Sequence, residues 1–330
     1  MPADHHVPVL PAESVAALVT RTDGVYVDAT FGRGGHARAI LARLASRARL
    51  VALDRDPAAA ACAAGVGDTR FTFVRERFSA LDRVLAGLAI ERVDGVLIDL
   101  GVSSPQLDDP ARGFTYREDG PLDMRMDPTT GESAREFVAR TSVDELTEAL
   151  RDYGEERFAR SIAAAIVAAR ARAPIASTRQ LAGIVAQAVG ARTRGDWHQD
   201  PAARTFQALR IAVNRELEEV SAVLPLATAA LAPGGRLAVI SFHSLEDRIV
   251  KRFIAAASTP FGGDARLMRA PIAERAMPKP PLEPVGRAVR AGPAELAANP
   301  RARSATLRVA ERTAAPLPAG WLHRVEPVQR

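Results

Sequence analysis

Three aspartates follow apolar runs in the first third of the chain. Asp28 ends the run that begins at Val25, Asp54 closes a second run, and Asp99 closes a nearly continuous third one. Such runs predict buried parallel strands, whose carboxyl ends meet at one edge of an open α/β sheet. A carboxylate there can accept hydrogen bonds from a ribose diol or lie near a cationic ligand. The three acids therefore predict a nucleotide-type binding site.

A glycine-rich turn links the first predicted strand to a helical pattern. Gly32, Gly34 and Gly35 allow positive φ or close approach of a ligand, and His36 follows where the first helical N–H groups are unsatisfied. The spacing Gly32-x-Gly34-x-x-Ala37 also fits a dinucleotide fingerprint, so a nicotinamide cofactor stays open. Asp28 would repel a pyrophosphate but suits an amino or sulfonium cation. This favours S-adenosylmethionine (SAM).

The elements that must position these residues alternate between strand and helix only as far as residue 106. Residues 107–201 show helical patterns with capping boxes at Ser142 and Ser177 and no convincing strand. One long helix over 205–231, a strand over 236–243, a helix capped by Ser244 to Asp247 and a last strand over 304–310 are predicted next. We therefore expect a doubly wound α/β domain formed by residues 1–106 and 202–330, with an all-helical domain of residues 107–201 inserted into it.

Composition narrows the class of protein. The chain has 330 residues, 47% of them hydrophobic, and its single cysteine, Cys62, excludes a disulfide framework and a cysteine-rich metal site. Without a signal-peptide pattern or a long apolar run, we expect a cytoplasmic protein with no membrane association. Ten basic and five acidic residues lie between positions 261 and 312, called here the basic segment, and this surplus of five equals the net charge of the whole chain. Such a concentration of positive charge predicts a polyanionic partner. Alternatively, the many arginines could reflect a GC-rich genome and not selection for phosphate contacts.

Nine long motifs are distributed along the chain. They are His6-Val-Pro-Val-Leu10, Asp28-Ala-Thr-Phe-Gly-Arg-Gly-Gly-His36, Asp54-Arg-Asp-Pro57, Asp99-Leu-Gly-Val-Ser-Ser-Pro-Gln-Leu-Asp108, Asp119-Gly-Pro-Leu-Asp-Met-Arg-Met-Asp127, Tyr153-Gly-Glu-Glu-Arg157, Arg204-Thr-Phe-Gln-Ala-Leu-Arg210, Ile240-Ser-Phe-His-Ser-Leu-Glu-Asp247 and Asn299-Pro-Arg-Ala-Arg303. With these motifs the chain resembles one known family, the bacterial 16S ribosomal RNA cytosine-N4 methyltransferases (the RsmH, formerly MraW, family). The resemblance covers about residues 5–312.

The resemblance implies a class I SAM-dependent methyltransferase fold, with a Rossmann-like sheet, that acts on one cytidine in the decoding region of the small ribosomal subunit. It implies three groups of SAM contacts. Gly34, Gly35 and His36 would form the loop, Asp54 would hold the ribose and Phe78 the adenine. Asp99 and Gln106 would lie near the methionine and methyl end. Because both ends of the helical insertion lie beside strands that carry site residues, we expect the insertion to be an RNA-recognition domain.

Methyl transfer to cytosine N4 needs an acceptor that orients the amine and takes its proton. The candidates for this catalytic role are Asp99, Ser103, Ser104 and His243, with Asn214 as a weaker one. The acid-or-Asn-Pro-Pro-aromatic motif of many amino methyltransferases is replaced here by Ser103-Ser-Pro-Gln106, so no residue is assigned to stack on the base.

Two other functions remain open at this stage. The chain could be a non-enzymatic ribosome-assembly or RNA-binding factor that keeps SAM as a structural ligand, or, less favoured, an NAD-linked enzyme. The sequence also leaves a homodimer open, and it does not distinguish free RNA from an assembled subunit as the substrate.

Overall fold

The structure, a computed structural model, describes residues 8–193, 202–263 and 277–323. The chain divides into two compact units, the first formed by residues 1–101 and 217–329 and the second by residues 102–216. His6, residues 264–276 of the basic segment and the last seven residues lie outside the described ranges. The second unit extends beyond residues 107–201 on both sides.

The first unit contains a seven-stranded sheet within the described ranges. Its strands are β1 (Val25–Asp28), β2 (Arg49–Asp54), β3 (Phe71–Arg75), β4 (Val93–Asp99), β5 (Leu231–Ser241), β6 (Leu282–Pro284) and β7 (Thr306–Arg312). Their order is β3-β2-β1-β4-β5-β7-β6, and β7 runs antiparallel to both of its neighbours while β1 to β5 are parallel. This arrangement confirms the expected class I methyltransferase fold. The short strand β6 was not predicted from the sequence.

Helices cover both faces of the sheet. Before the second unit they are α1 (Pro11–Leu18), α2 (Gly35–Leu41), α3 (Pro57–Ala63) and α4 (Leu81–Gly87). After the second unit, which contains α5 to α10, they are α11 (Glu216–Ala230), α12 (Ser244–Ala257) and α13 (Pro293–Ala298). One apolar core joins residues of α4, α11 and α12 to the sheet, and a separate core joins α1, α2 and α3 to it. Two cores on opposite faces explain why the strands read as continuous apolar runs rather than alternating ones.

Within its described residues, the second unit has helices and a long irregular loop over residues 113–133, and its one strand-like pairing is the bridge between Pro121 and Ser177. Its helices are α5 (Ser104–Asp108), α6 (Ala134–Arg140), α7 (Val143–Gly154), α8 (Ala159–Arg170), α9 (Thr178–Thr193) and α10 (Ala202–Asn214). The predicted capping box at Ser142 is confirmed, because the Glu145 N–H donates to Ser142 Oγ at 3.2 Å and Glu145 Oε2 accepts from the Ser142 N–H at 2.9 Å. A core of its own includes Leu146, Ile162 and Phe206.

The single long helix predicted over residues 205–231 is wrong. The helix is interrupted at Arg215, which has φ +51°, and the segment forms two helices, α10 in the second unit and α11 in the first. A left-handed residue just after a helix ends it, and glycine is the usual signal for that position. Arginine gives no such signal, and the apolar stripe continues on both sides of the break.

The end of α10 is held by a buried side chain. Asn214 Oδ1 accepts from the Met126 N–H at 2.8 Å, and Nδ2 donates to the carbonyls of Met124 at 2.7 Å and Arg210 at 3.0 Å. Met124 has φ +61°, an unfavourable conformation for methionine that surrounding contacts must maintain. Asn214, a weaker candidate for the proton acceptor, thus has its amide committed to the backbone.

We expect Asn214→Ala to destabilise the second unit. The change leaves a buried N–H and carbonyls without their partner, at a cost of roughly 2–4 kcal/mol in the free energy of unfolding. Urea denaturation would measure the loss, with Glu148→Ala on the exposed side of α7 as a control expected within about 0.5 kcal/mol of the parent. A loss below about 1 kcal/mol for Asn214→Ala would contradict a stabilising role of these hydrogen bonds.

Within the described ranges, no helix combines the length and apolar character that a membrane crossing requires.

Candidate active site at the carboxyl edge of the sheet

The three aspartates lie on adjacent strands, as predicted. Asp28 is paired in register with Ala52 of β2 and with Leu97 of β4, so Asp54 and Asp99 each lie two residues further along their strands. Asp28 is accordingly fully buried, whereas Asp54 and Asp99 are partly exposed. The edge therefore presents two carboxylates to the outside above a third that lies deeper.

Asp28 is an unusual buried acid. Its Oδ1 accepts from the Thr30 N–H at 3.2 Å, but its buried Oδ2 has no hydrogen-bond partner among the described residues. Burial raises the pKa of Asp28 to about 6, opposed by nearby His36 and the bond from Thr30 and reinforced by the charges of Asp99 and Asp54. A cation bound beside Asp28 would stabilise its ionised form.

His36 lies among these acids. Its Nε2 is 3.3 Å from Asp99 Oδ2, an ion-pair distance without the alignment of a hydrogen bond, and its Nδ1 is 3.4 Å from Ser14 Oγ. Burial alone would lower the pKa of His36, but the carboxylates of Asp99, Asp28 and Glu295 raise it. The structure thus brings together His36, Asp99 and Asp28.

The glycine-rich turn is tied to the second carboxylate. Asp54 Oδ2 accepts from the Gly32 N–H at 2.7 Å, and Oδ1 accepts from the Asp56 N–H at 2.9 Å. Gly34 has φ +73°, and a Cβ on it would lie 2.7 Å from the Phe31 ring, so only glycine fits. Burial raises the pKa of Asp54, while the two backbone bonds lower it. Each carboxylate oxygen keeps a further lone pair for a ligand hydroxyl.

Phe78 lies just beyond β3, in a short 3-10 helix (Phe78–Ala80). Its ring is half-buried and packs against the core that also contains Leu81 and Val84. The preceding strand, β3, is the neighbour of β2, whose last residue is Asp54, so the position of Phe78 is compatible with the site without assigning it a contact there. Its predicted role at an adenine ring therefore stays a prediction.

His243 occupies a structural position. It is the N-cap of α12, and its Nδ1 accepts from the Glu246 N–H at 3.5 Å. Glu246 Oε2 accepts from the Phe242 N–H at 2.8 Å, and Glu246 Oε1 lies 3.1 Å from His243 Nε2. The cap predicted at Ser244 is therefore wrong by one residue. The Nδ1 of His243 accepts within the cap, and its buried Nε2, like that of His36, lies at ion-pair distance from a carboxylate without an aligned hydrogen bond. The candidacy of His243 as a proton acceptor therefore stays a prediction.

The remaining predicted site residues lie in the second unit. Ser103 is the N-cap of α5, and its N–H donates to Gln106 Oε1 at 2.9 Å. Ser104 and Gln106 are buried. The side-chain oxygen of Gln106 thus completes a helix cap. The predicted roles of Ser103 and Ser104 as proton acceptors and of Gln106 near the methyl end stay predictions.

Two residues beside the site were missed in the sequence. Thr30 Oγ1 accepts from the Asp99 N–H at 2.7 Å, and Glu295 Oε1 accepts from the Leu10 N–H at 2.6 Å. Thr30 could have been noticed because it lies in the glycine-rich turn. Glu295 could not, because it is 285 residues from its partner and stands in a segment without a strand pattern.

The residues of the first unit fit SAM. Three buried polar atoms, Asp28 Oδ2, His36 Nε2 and Asp99 Oδ1, have no hydrogen-bond partner among the described residues. Buried polar atoms are normally paired, so a polar or cationic ligand at this point would satisfy them. The adjoining turn admits no side chain at Gly34, and Asp54 is available to a ribose diol. A pyrophosphate would instead meet three carboxylates.

We expect Asp28 to make the stability of the ligand-free protein fall as pH rises from about 4 to about 6. In this window the folded state holds a proton on Asp28 that the unfolded state has released, because the pKa is 3.8 when unfolded and about 6 when folded. The difference corresponds to roughly 3 kcal/mol. Asp28→Asn removes the titration and should therefore be more stable than the parent at pH 7 but not at pH 4. Urea denaturation at both pH values measures this, and parallel pH profiles would contradict it.

Comparison with known proteins points to one family. The profile of the MraW methylase family matches residues 3–313. "Ribosomal RNA small subunit methyltransferase H" of Thiobacillus denitrificans is 60% identical over 309 residues, covering 94% of this chain and 97% of the relative. The protein of the same name from Burkholderia cenocepacia is 58% identical over 311 residues, covering 93% and 97%. A solved rRNA methylase from Streptococcus thermophilus aligns over 92% of this chain and 93% of its own with a TM-score of 0.36 and 10% identity, too low to compare residues.

Proposed function

The chain belongs to the MraW methylase family, and from this premise we propose that it transfers the methyl group of SAM to the N4 amine of one cytidine in 16S ribosomal RNA. The relatives that cover nearly the whole chain are named as small-subunit ribosomal RNA methyltransferases. We further propose that the target lies in the decoding region and that the protein acts in the cytoplasm on RNA within the small subunit. The sequence motifs that resemble cytosine-N4 methyltransferases support the choice of atom.

The observation that carries the proposal is the group of unsatisfied atoms at the sheet edge. Asp28 Oδ2 and Asp99 Oδ1 are buried without hydrogen-bond partners among the described residues, and His36 Nε2 has only an unaligned ion-pair contact with Asp99. They lie next to a turn that only glycine can form at Gly34. An amino acid moiety carrying a sulfonium offers the positive charge that this acidic site lacks. We assign SAM binding to the turn, to Asp54 at the ribose and to Phe78 at the adenine.

The chemistry places modest demands on the protein. When bound, SAM supplies a methyl group on a positively charged sulfur. Cytosine N4 is a weak nucleophile because its lone pair is delocalised into the ring, so an acceptor must orient the amine and take its proton as charge develops. We assign this role to Asp99, whose Oδ1 is unpaired within the described structure while its Oδ2 faces His36. His36 then holds the orientation of the carboxylate.

Ser103 and Ser104 are the second choice as acceptors, since a hydroxyl oxygen can orient the amine but removes a proton poorly. His243 is the third, because its ring nitrogens face its own helix cap. We propose that the helical unit contacts folded RNA, and its near balance of 16 basic and 17 acidic residues over positions 102–216 favours recognition of shape over phosphate charge.

Nucleoside mass spectrometry of ribosomal RNA from cells with and without the gene tests the proposal. We expect N4-methylated cytidine in 16S RNA to disappear without the gene, to return with the parent sequence and to return far more slowly with Asp99→Asn. Return at the parent rate with Asp99→Asn would contradict the role of Asp99. Identical RNA from both strains would contradict the methyltransferase function and favour an assembly factor that keeps SAM as a structural ligand.

A further inference from the structure

The positive charge of the chain is concentrated in its last third. Residues 1–101 contain 12 basic and 12 acidic side chains, and residues 102–216 contain 16 and 17. Residues 217–330 contain 16 basic and 10 acidic side chains, a surplus of six. The last third of the sequence therefore carries the net positive charge to which a nucleic acid could bind through its phosphates.

Some of these arginines are structural. Arg308 forms a two-pronged ion pair with Asp247 at 2.7 and 2.9 Å, and Arg236 pairs with Glu311 at 3.1 Å. Arg312 is buried and donates to the carbonyls of Pro281, Thr313 and Ala315. These side chains hold the last strands together and are not available to a partner.

Other arginines are exposed. Arg287, Arg290 and Arg303 lie on residues 285–305, called here the basic strap, and within the described ranges none of the three pairs with a carboxylate. Glu295, an acid of the same strap, is committed to the Leu10 N–H at 2.6 Å. The positive charge of the strap is thus left without an acidic counterpart on the strap itself.

The strap reaches the edge of the sheet that carries the candidate active site. Because β7 is antiparallel, its first residue, Thr306, pairs with Ser241 at the carboxyl end of β5, and Arg303 lies just before it. Val289 forms two backbone hydrogen bonds with Leu307, of 2.8 and 2.9 Å, which places Arg290 at the same edge. Asp28, Asp54 and Asp99 end strands at this edge.

The strap is held firmly in place. The Val285 N–H donates to the Val309 carbonyl at 2.9 Å, and Ala291 and Leu296 pack against the core shared with α1 and α2. Glu295 ties the strap to Leu10 at the start of α1, the helix whose Ser14 contacts His36. An ordered backbone presents its arginines at a lower entropic cost than a free loop.

We propose that Arg287, Arg290 and Arg303 of the basic strap bind phosphate groups of the substrate RNA and hold it at the carboxyl edge of the sheet. The inference rests on the proposed function, because it takes the substrate to be RNA. Each arginine–phosphate contact releases condensed counterions, so RNA binding should weaken with salt in proportion to the number of contacts.

The test measures binding of small subunits from cells lacking the gene at several salt concentrations. In the triple variant R287Q/R290Q/R303Q, the slope of log affinity against log salt should be shallower by about 2, as expected for three contacts to single-stranded RNA. SAM affinity and melting temperature should match the parent. R287K/R290K/R303K keeps the charges and should keep the slope.

A matched control removes three exposed arginines elsewhere on the same unit. Arg43, Arg47 and Arg49 lie before or at the start of β2, at the opposite edge of the sheet, and R43Q/R47Q/R49Q should keep the parent slope. An unchanged slope in the strap triple variant, or an equal flattening in the control, overturns the inference even where the parent methylates RNA. Flattening in the strap variant alone, with a parent that transfers no methyl group, upholds the strap and overturns the proposed enzyme.

Discussion

Replacing Asp99 with asparagine is expected to lower kcat for RNA methylation by about 10²-fold or more, which is the usual contribution of a positioned proton acceptor. Asparagine keeps the size of the side chain but can no longer take a proton from N4. The Oδ1 of Asp99 has no partner within the described structure, so the change deprives the fold of little apart from the contact with His36. Single-turnover methyl transfer at saturating SAM measures the effect on the chemical step.

A matched control lies on the same strand. Asp94 is near the opposite end of β4, where its Oδ2 accepts from the Val25 N–H at 2.8 Å, and Asp94→Asn should leave kcat within about threefold of the parent. SAM affinity in Asp99→Asn should change less than kcat, because a residue that only held the cofactor would show the reverse. Retention of more than a tenth of the parent kcat would remove Asp99 from the proton-acceptor role.

Asp54→Ala is expected to weaken SAM binding by on the order of a hundredfold. A hydrogen bond to a charged acceptor contributes roughly 1.5–3 kcal/mol, and a ribose diol can donate two to this carboxylate. The variant also frees the Gly32 N–H, which loosens the glycine-rich turn. Calorimetric titration with SAM measures the affinity.

Asp56→Ala provides the control for Asp54. Asp56 caps α3 by accepting from the Ala58 N–H at 2.9 Å, so its loss should cost about 1 kcal/mol of stability and leave SAM affinity near the parent value. Unchanged SAM affinity in a folded Asp54→Ala protein would contradict the assignment of Asp54 to the ribose.

The arrangement of the acids could be predicted because it follows from chain periodicity. Buried parallel strands appear in the sequence as continuous apolar runs, and a residue that ends such a run lies at the carboxyl edge of the sheet. The sequence alone therefore places Asp28, Asp54 and Asp99 together. The glycine-rich turn could also be predicted, because three glycines fall within four positions of the sequence. The structure explains the glycine at position 34, where the backbone conformation and a close contact exclude a side chain.

The contacts that tune the site could not be predicted. The bond between Glu295 and Leu10 joins positions at opposite ends of the chain, and no local pattern marks either partner. The helix break at Arg215 has no glycine or proline to mark it in the sequence. The hydrogen bonds of the Asn214 side chain depend on the path of a loop that lies 88 residues away in sequence. The sequence also suggested His243 as a proton acceptor, whereas in the structure its imidazole caps α12.

The most direct measurement incubates the purified protein with isotopically labelled SAM and small subunits from cells lacking the gene, and locates the label by mass spectrometry of RNA fragments. We predict label on N4 of a single cytidine of 16S RNA, at a rate that Asp99→Asn lowers by about 10²-fold or more. Label on another atom would contradict the assignment to N4. No label, from a protein that binds SAM normally, would contradict the enzyme itself.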